Sequence, residues 1–410
     1  MLDLTDLKLR KISELVDMAR ALRVENAVSL KKQELIFEIL RNQPGSNAHG
    51  EGVLEILPDG FGFLRAPDCN YLPGPDDIYV SPSQVRRFSL RTGDTVAGVI
   101  RAPKEGERYF ALIKVESVGG RSPDAEREKL LFDNLTPVHP SRPLPLEHEG
   151  AGPGVRLIDL VAPLGLGQRV LVTAPPRAGR TTLLREVGLA IQARHPDVHL
   201  IVLLVDERPE EVTELQRTLP AEILSSTFDE PPSRHVQVAE MGIERAKRMV
   251  EQGRDVVVLL DSLSRLARAL NATTPAGGKL IGGVVDASAL HRLRRFFAAG
   301  RALEEGGSLT MVATLQVQTD ARIDELVAED LAGTANAELV LSRDLADQGV
   351  FPALDLGRSY SQRPVRPAPA LQAVAAWRRT LPGSPLPALS AALEALRVHA
   401  SNAALLDSRS

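Results

Sequence analysis

Residues 169–183 read Arg-Val-Leu-Val-Thr-Ala-Pro-Pro-Arg-Ala-Gly-Arg-Thr-Thr-Leu, and this stretch decides the fold class of the chain. An apolar run of strand length, Val170 to Thr173, enters a turn carrying proline and glycine and leaves it into a helical run from Leu183. That is the context a phosphate-binding loop requires, because backbone N–H groups and a helix N-terminus then point at one anion. The candidate phosphate ligands are Ala174, Pro175, Pro176, Arg177, Ala178, Gly179, Arg180, Thr181 and Thr182. Gly179 allows close approach, and Thr181 offers a hydroxyl to Mg²⁺. The consensus lysine is Arg180 here and the opening glycine is Ala174. Arginine keeps the charge but exchanges a compact ammonium for a planar fork, which bears on hydrolysis more than on binding. Taken alone, the loop is also readable as a strand-to-helix turn with no ligand.

The surroundings weigh against that plainer reading. Strands are expected at Arg169–Thr173, His199–Val205, Ala221–Thr227, Asp255–Asp261, Ser308–Thr314 and Glu338–Leu341, separated by helical stretches such as Pro232–Glu251. This alternation predicts an α/β domain with a mostly parallel sheet and helices on both faces. Asp255-Val-Val-Val-Leu-Leu-Asp261 ends in an acid, the place where a Walker B aspartate orders Mg²⁺, although such an acid also caps helices. Another strand runs into Asp206-Glu-Arg208, where Glu207 has the chemistry to polarise an attacking water or, more plainly, to favour the next helix N-terminus. Three such strand ends at one sheet edge point to a nucleoside triphosphate site.

Upstream, residues 1–46 carry apolar positions at helical spacing and predict a small helical domain. Asn42–Gly52 reads as a linker, and residues 47–119 as a small β-barrel of short strands and turns. Seven of the 15 aromatic residues fall between positions 61 and 110, although aromatics make up only 4% of the 410 residues. Phe61 and Phe63, two apart, share one face of a strand, so the rings form either a stacking platform for single-stranded bases or barrel core. Residues 120–153 are a Pro- and Gly-bearing connector, 154–362 the nucleotide domain, and 363–410 a Pro- and Ala-rich tail with one amphipathic stretch, Pro387–Val398. The net charge of −4 and 43% apolar content exclude a largely disordered chain and give no global sign of nucleic-acid binding. The lone Cys69 excludes a disulfide framework, and the N-terminus lacks a leader pattern, so a cytosolic protein with no membrane span is expected.

Helical cap, aromatic barrel and P-loop domain, in this order, resemble the bacterial transcription termination factor Rho family. The resemblance is carried by Asp59-Gly-Phe-Gly-Phe-Leu-Arg65, Gly74-Pro-Asp-Asp-Ile-Tyr-Val-Ser-Pro-Ser-Gln84, Lys104-Glu-Gly-Glu-Arg-Tyr-Phe-Ala-Leu112, Asp206-Glu-Arg-Pro-Glu-Glu-Val-Thr-Glu214, Ser226-Thr-Phe-Asp-Glu-Pro231 and Arg234-His-Val-Gln-Val-Ala-Glu-Met241. It implies an OB-like barrel, a RecA-like ATPase domain, and a homohexameric RNA-dependent ATPase and 5′-to-3′ RNA–DNA helicase. Such a ring binds single-stranded RNA, uses ATP with Mg²⁺, and releases transcripts from the RNA polymerase elongation complex.

Residue by residue, the resemblance implies a primary RNA site of Phe61, Phe63, Arg65, Asp77, Tyr79, Glu107 and Tyr109. It also implies a central pore with Lys279 and Arg322, catalytic Glu207, Arg208 and Asp261, Mg²⁺ at Thr181 and Asp261, and an adenine contact at Phe351. The departures gather in the motor. The family's two loop lysines are Arg177 and Arg180, its arginine finger aligns with Gln362 beside Arg363, and another interface arginine aligns with Gly349, while Arg343 is kept. These departures leave a second reading open, a ring that binds RNA and nucleotide with weak or no hydrolysis.

Overall fold

The computed structural model describes residues 6–7, 10–24, 26–42, 47–104, 106–124, 130–275 and 277–407. The first five residues, positions 43–46 of the expected linker, Ala276 of the pore segment and the last three residues lie outside the described residues. The chain forms two compact units, Met1–Phe132 with Lys247–Gln252, and Asp133–Ala246 with Gly253–Ser410.

In the first unit, the helices Ile12–Ala21 and Lys32–Arg41 bury Leu15, Ala19, Leu35 and Ile39 and leave their charged faces exposed. Five strands close a barrel in the order β1-β2-β3-β5-β4: β1 (Asn47–Ile56), β2 (Gly62–Arg65), β3 (Ile78–Val80), β4 (Thr95–Arg101) and β5 (Phe110–Val118). All pairings are antiparallel except β3 with β5. Residues 47–52 of the expected linker are therefore strand, paired with β4 from Asn47↔Arg101 to Gly52↔Val96. The glycines that suggested flexibility serve close packing instead, since a Cβ on Gly52 would fall 2.8 Å from Leu64 Cβ. Leu54, Leu64, Ile78, Ile100 and Phe110 fill the interior.

The second unit is built on a nine-stranded sheet. Its strands are β6 (Pro137–Val138), β7 (Arg169–Ala174), β8 (His199–Glu207), β9 (Glu222–Thr227) and β10 (Asp255–Asp261), then, beyond a small hairpin of β11 (Leu280–Ile281) and β12 (Val285–Asp286), β13 (Arg301–Leu303), β14 (Ser308–Gln316), β15 (Ala337–Val340) and β16 (Tyr360–Ser361). The main path runs β16-β15-β7-β14-β10-β8-β9, with β15 through β9 mutually parallel. Val256 to Asp261 are all buried, so both faces of this sheet are covered, the condition under which a strand reads as an unbroken apolar run. Registers Asp261↔Leu204 and Gln316↔Ala174 bring the C-terminal ends of four strands to one edge.

Two segments are more structured than their composition suggests. The connector contributes β6, which pairs with β13, and inserts Leu144 and Leu146 into the core, where Asp159 accepts hydrogen bonds from the Leu146 and Glu147 N–H groups. The tail forms three helices, Ala368–Thr380, Pro385–Val398 and Asn402–Asp407, rather than one amphipathic stretch. Trp377, Leu389, Leu396 and Leu405 join the same apolar cluster as Val172 and Leu339 of the sheet. Arg156 fastens the tail by donating to the carbonyls of Leu396 and His399, each at 3.0 Å.

Candidate functional site

The loop after β7 is shaped for close backbone approach. Gly179 has φ 82° and caps the helix Arg180–Arg194, and Arg177 also adopts φ 64°, a conformation uncommon for a side-chain-bearing residue. Arg177 is exposed, and the first N–H groups of the helix have no partner within it. Thr181 Oγ1 donates to Asp261 Oδ2 at 2.8 Å, while Thr314 Oγ1 donates to Asp261 Oδ1 at 2.8 Å. Asp261 is fully buried, so these hydroxyls fix its orientation. The Arg180 Nε lies 3.2 Å from Asp261 Oδ1, and with the Gln316 amide turned to present its oxygen, Arg180 donates to it as well.

Glu207 reaches the same edge through a bulge. Val205 pairs with Ser226 and Glu207 with Thr227, so Asp206, at φ 55°, is the extra residue that re-aims the strand end. The Glu207 carboxylate is 5% exposed. It accepts from the Arg208 N–H at 3.1 Å and from Arg265 Nη1 at 2.5 Å. The Arg208 side chain is exposed. Beside the loop, a cavity of about 340 Å³ is lined by Gly179, Thr182, Glu186, Leu341, Phe351 and Ala353, with the Phe351 ring 54% exposed. Thr181 and Asp261 supply hard oxygen donors side by side, a donor set that fits Mg²⁺.

The helix Leu263–Thr273 starts two residues after Asp261, with the intervening Ser262 capping the Arg265 N–H at 3.3 Å. Along it, Arg265 holds Glu207, and Arg268 Nη2 reaches Asp324 Oδ2 at 2.5 Å, where Thr319 Oγ1 also donates at 2.6 Å. Asn271 donates to the Val284 carbonyl at 3.1 Å and accepts from the Asp286 N–H at 2.8 Å, gripping the β11–β12 hairpin. Lys279 stands exposed at the base of that hairpin, and Arg322 is exposed at the start of the helix Arg322–Ala332 that carries Asp324. Sequence reasoning missed Arg265, Arg268 and Thr314. Their only signal was position, in the helix immediately after the Asp261 strand or at the end of a neighbouring strand.

Arg343, Gln362 and Arg363 are exposed. Gly349 has φ 70° just past the helix Arg343–Asp347, with its N–H on the Ala346 carbonyl at 2.9 Å. This is a left-handed cap, where a side-chain-bearing residue is strained.

In the barrel the aromatics divide between both readings of the sequence. Phe110 and Tyr71 are buried, and Phe110 packs edge-on against Phe37 at 5.2 Å. Phe61, Phe63, Tyr79 and Tyr109 form a separate cluster in which Phe63 is the floor, 9% exposed, with Tyr109 at 4.8 Å, Phe61 at 5.8 Å and Tyr79 at 6.1 Å. Phe61 precedes β2 by one residue yet shares the face of Phe63. Arg65 lies over Phe63 at 4.8 Å and is held by Glu55, at 2.8 Å, and by Asp77. Burial pushes the Asp77 carboxyl up to about 6, against the opposing pull of the Gly74 N–H and Arg65. The rings adjoin a groove of about 660 Å³ lined by Tyr79, Gln84, Arg101, Glu107, Tyr109 and Leu112. Arg101 donates to Glu107 at 2.6 and 2.9 Å, and this bond with the Lys104 N–H brings the Glu107 carboxyl down to about 2. The arrangement offers stacking faces beside hydrogen-bond acceptors and donors.

Among the described residues, no helix is long and apolar enough to cross a membrane, and no group of three or more His, Cys, Asp or Glu side chains is placed to hold a metal.

Family models match along most of the chain. Residues 6–48 match the Rho termination factor N-terminal domain, residues 50–124 the Rho termination factor RNA-binding domain, and residues 154–361 the nucleotide-binding domain of the ATP synthase alpha/beta family. The chain is 52% identical to transcription termination factor Rho of Chromobacterium violaceum over 413 residues, covering 99% of both chains. It is 54% identical to the Rho proteins of Salmonella typhimurium and Escherichia coli K12 over 367 residues, 88% of each chain. A solved ATPase from the type III secretion system of pathogenic bacteria aligns with TM-score 0.52 and 26% identity, covering 59% of this chain and 69% of that one. The assembled type III secretion ATPase EscN of enteropathogenic E. coli, at TM-score 0.54, 22% identity and coverage of 75% and 74%, shares the fold.

Proposed function

The chain belongs to the transcription termination factor Rho family, and from that premise we propose how its residues perform RNA-directed ATP hydrolysis. It is an RNA-binding, ATP-dependent transcription termination factor and an ATP-hydrolysing enzyme. The finer reading is a homohexameric 5′-to-3′ RNA–DNA helicase, acting in the cytoplasm, that draws the nascent transcript from the RNA polymerase elongation complex.

In this reading Arg177, Arg180 and the backbone of residues 174–182 hold the phosphates, and the Phe351 ring, exposed beside the cavity, stacks on the adenine. Glu207, oriented by Arg265, takes the proton of the attacking water, and Arg208 answers to the γ-phosphate. Thr181 and Asp261 are the residues that would hold Mg²⁺, which supplies charge neutralisation to the phosphates when bound. Arg180 lies on Asp261, so nucleotide entry requires its fork to swing from the carboxylate to the phosphates. With Gln362 at the finger position, Arg343 and Arg363 are the cations available to a neighbouring subunit's site.

Phe61, Tyr79 and Tyr109 stack bases over Phe63, while Arg65, Asp77 and Glu107 read their edges, a pattern suited to pyrimidine-rich single strands. Lys279 and Arg322 meet RNA in the pore. The observation that carries the enzymatic reading is the Thr181–Asp261–Thr314 cluster, its Asp261 and Thr314 fully buried, sharing one sheet edge with the re-aimed Glu207. No observation favours a ring that binds without hydrolysing. The decisive measurement is ATP hydrolysis by the full chain with and without a pyrimidine-rich RNA. Stimulation by RNA, abolished in Glu207→Gln, supports the reading, whereas hydrolysis indifferent to both overturns it.

A further inference from the structure

Arg169 and Arg301 flank β14, opposite Met311 and Leu309, so they share one face near the start of that strand. Together with Asn336, Gly167 and the connector residue His139 they line a cavity of about 550 Å³. The length of β7, Arg169–Ala174, separates this cavity from the phosphate-binding loop, about 17 Å at 3.3 Å per residue. Arg169 is partly buried and donates Nε to the Thr334 carbonyl at 2.7 Å and Nη1 to the Gly300 carbonyl at 2.6 Å. Both acceptors are neutral, and among the described residues no carboxylate pairs with Arg169 or lines the cavity. Its Nη2 makes no hydrogen bond, yet the protein does not enclose it. Asn336 Oδ1 accepts the Arg169 N–H at 2.8 Å, which orients the amide and leaves its Nδ2 unbonded and reachable as well.

A guanidinium withdrawn from water beside a second one is costly unless an anion completes the site. We propose that this cavity is a second phosphate site, which takes a free oligophosphate, inorganic pyrophosphate or the phosphate tail of a nucleotide, between Arg169 and Arg301 with the Asn336 amide as a neutral donor. Planar forks suit phosphate oxygens, which accept paired N–H bonds. Two cations call for more than one negative charge, and the cavity has room for more than one phosphate group. Among the described lining residues the His139 imidazole is the only ring, so nothing there selects a base and the ligand is read by its charge. Burial and the neighbouring Arg301 both push the Arg169 guanidinium down, a penalty that a bound anion relieves.

Inorganic pyrophosphate is titrated by calorimetry into the full chain at fixed ionic strength, with melting curves as a check of folding. Comparison with Arg180→Ala separates this cavity from the phosphate-binding loop. Pyrophosphate binding should persist in Arg180→Ala and weaken by about tenfold or more in Arg301→Gln, which loses charge-assisted hydrogen bonds. The affinity of Arg301→Gln for ADP should stay within about twofold of the parent, because the loop lies at the other end of β7. His139→Glu introduces a carboxylate to the cavity from an exposed position, so it should weaken pyrophosphate similarly, and it carries the test if Arg301→Gln does not fold. A parent that binds no pyrophosphate overturns the proposal, as does binding that is lost in Arg180→Ala and unchanged in both cavity variants. Displacement by an equal concentration of sulfate overturns it too, since the cavity then takes any anion. Displacement by a short single-stranded RNA in Arg180→Ala does the same and assigns the two arginines to the RNA path.

Discussion

Glu207 Oε2 and Arg265 Nη1 lie 2.5 Å apart, joining a strand-end carboxylate that is 5% exposed to the first turn of the helix that follows Asp261. A carboxylate so buried is oriented almost wholly by its partner. Arg265→Met should therefore lower RNA-stimulated kcat by about tenfold or more while changing the Kd for ATP little, since a misdirected base costs turnover rather than binding. Steady-state kinetics beside nucleotide binding make the distinction. An equal loss in both would reassign Arg265 to holding the nucleotide.

Arg180 bridges to Asp261 and Gln316, the groups that lie where the metal and phosphates are expected. A lysine carries the same charge without the planar fork that engages both partners. Arg180→Lys should raise kcat severalfold with a smaller effect on KM, whereas Arg180→Ala should weaken ATP binding by about tenfold. If Arg180→Lys is slower than the parent, the fork itself serves catalysis.

Phe61 and Phe63 touch, yet differ in what they cover. Phe61 is partly exposed and Phe63 is the buried floor of the ring cluster. Loss of one stacked base costs about 1–3 kcal/mol, so Phe61→Ala should weaken binding of a pyrimidine-rich oligonucleotide with little change in melting temperature. Phe63→Ala should lower both. Fluorescence anisotropy beside thermal melts separates the two effects, and equal melting losses would show Phe61 to be structural.

Asp77 gives the barrel a pH signature. Its folded value of about 6 lies above the 3.8 of an unperturbed aspartate, so the folded state holds this proton more tightly than the unfolded chain. The resulting stabilisation is complete below 3.8 and disappears as the pH rises through about 6, up to about 3 kcal/mol in all. Asp77→Asn should flatten the fall in stability between pH 4 and 7 seen for the parent in denaturant titrations. Parallel curves for the two proteins would place the titration elsewhere.

Trp377 is fully buried in the tail, with an indole N–H that has no partner. Trp377→Phe removes that donor and keeps most of the packing, so it should cost less than about 1.5 kcal/mol, against about 3–5 kcal/mol for Trp377→Ala. Denaturant midpoints report the difference, and a mild alanine variant would mean that the tail helices contribute little to the core.

The six parallel strands were legible because most of their residues are buried, so that they read as apolar runs, with boundaries displaced by one or two residues, as where a bulge carries β8 on to Glu207. The positions of the loop after β7 and of Asp261 were legible for the same reason, being the ends of such runs. The tail was not, since Trp377, Leu389 and Leu405 are held by long-range contacts from Arg156 and the sheet that no local pattern reveals. Gly50 and Gly52 looked like linker because composition does not distinguish a flexible glycine from one pressed against Leu64 or Ile78. The aromatics were ambiguous for a physical reason: the barrel uses rings on both of its faces. Arg265 and Arg268 carried no motif, as an arginine one turn into a helix is ordinary until its partner is known.

The helix Leu263–Thr273 spaces Arg265, Arg268 and Asn271 three residues apart, so one stiff rod of about 9 Å grips Glu207, the carboxylate proposed to activate water, at one end and the hairpin proposed to meet RNA at the other. Thermodynamic reciprocity then follows for the proposed sites. Whatever free energy RNA contributes to ordering Glu207 around ATP, ATP must return in full as tighter grip on RNA. Strand affinity should accordingly rise and fall with each nucleotide cycle in every subunit, which is the minimum a motor needs to hold, release and hold again.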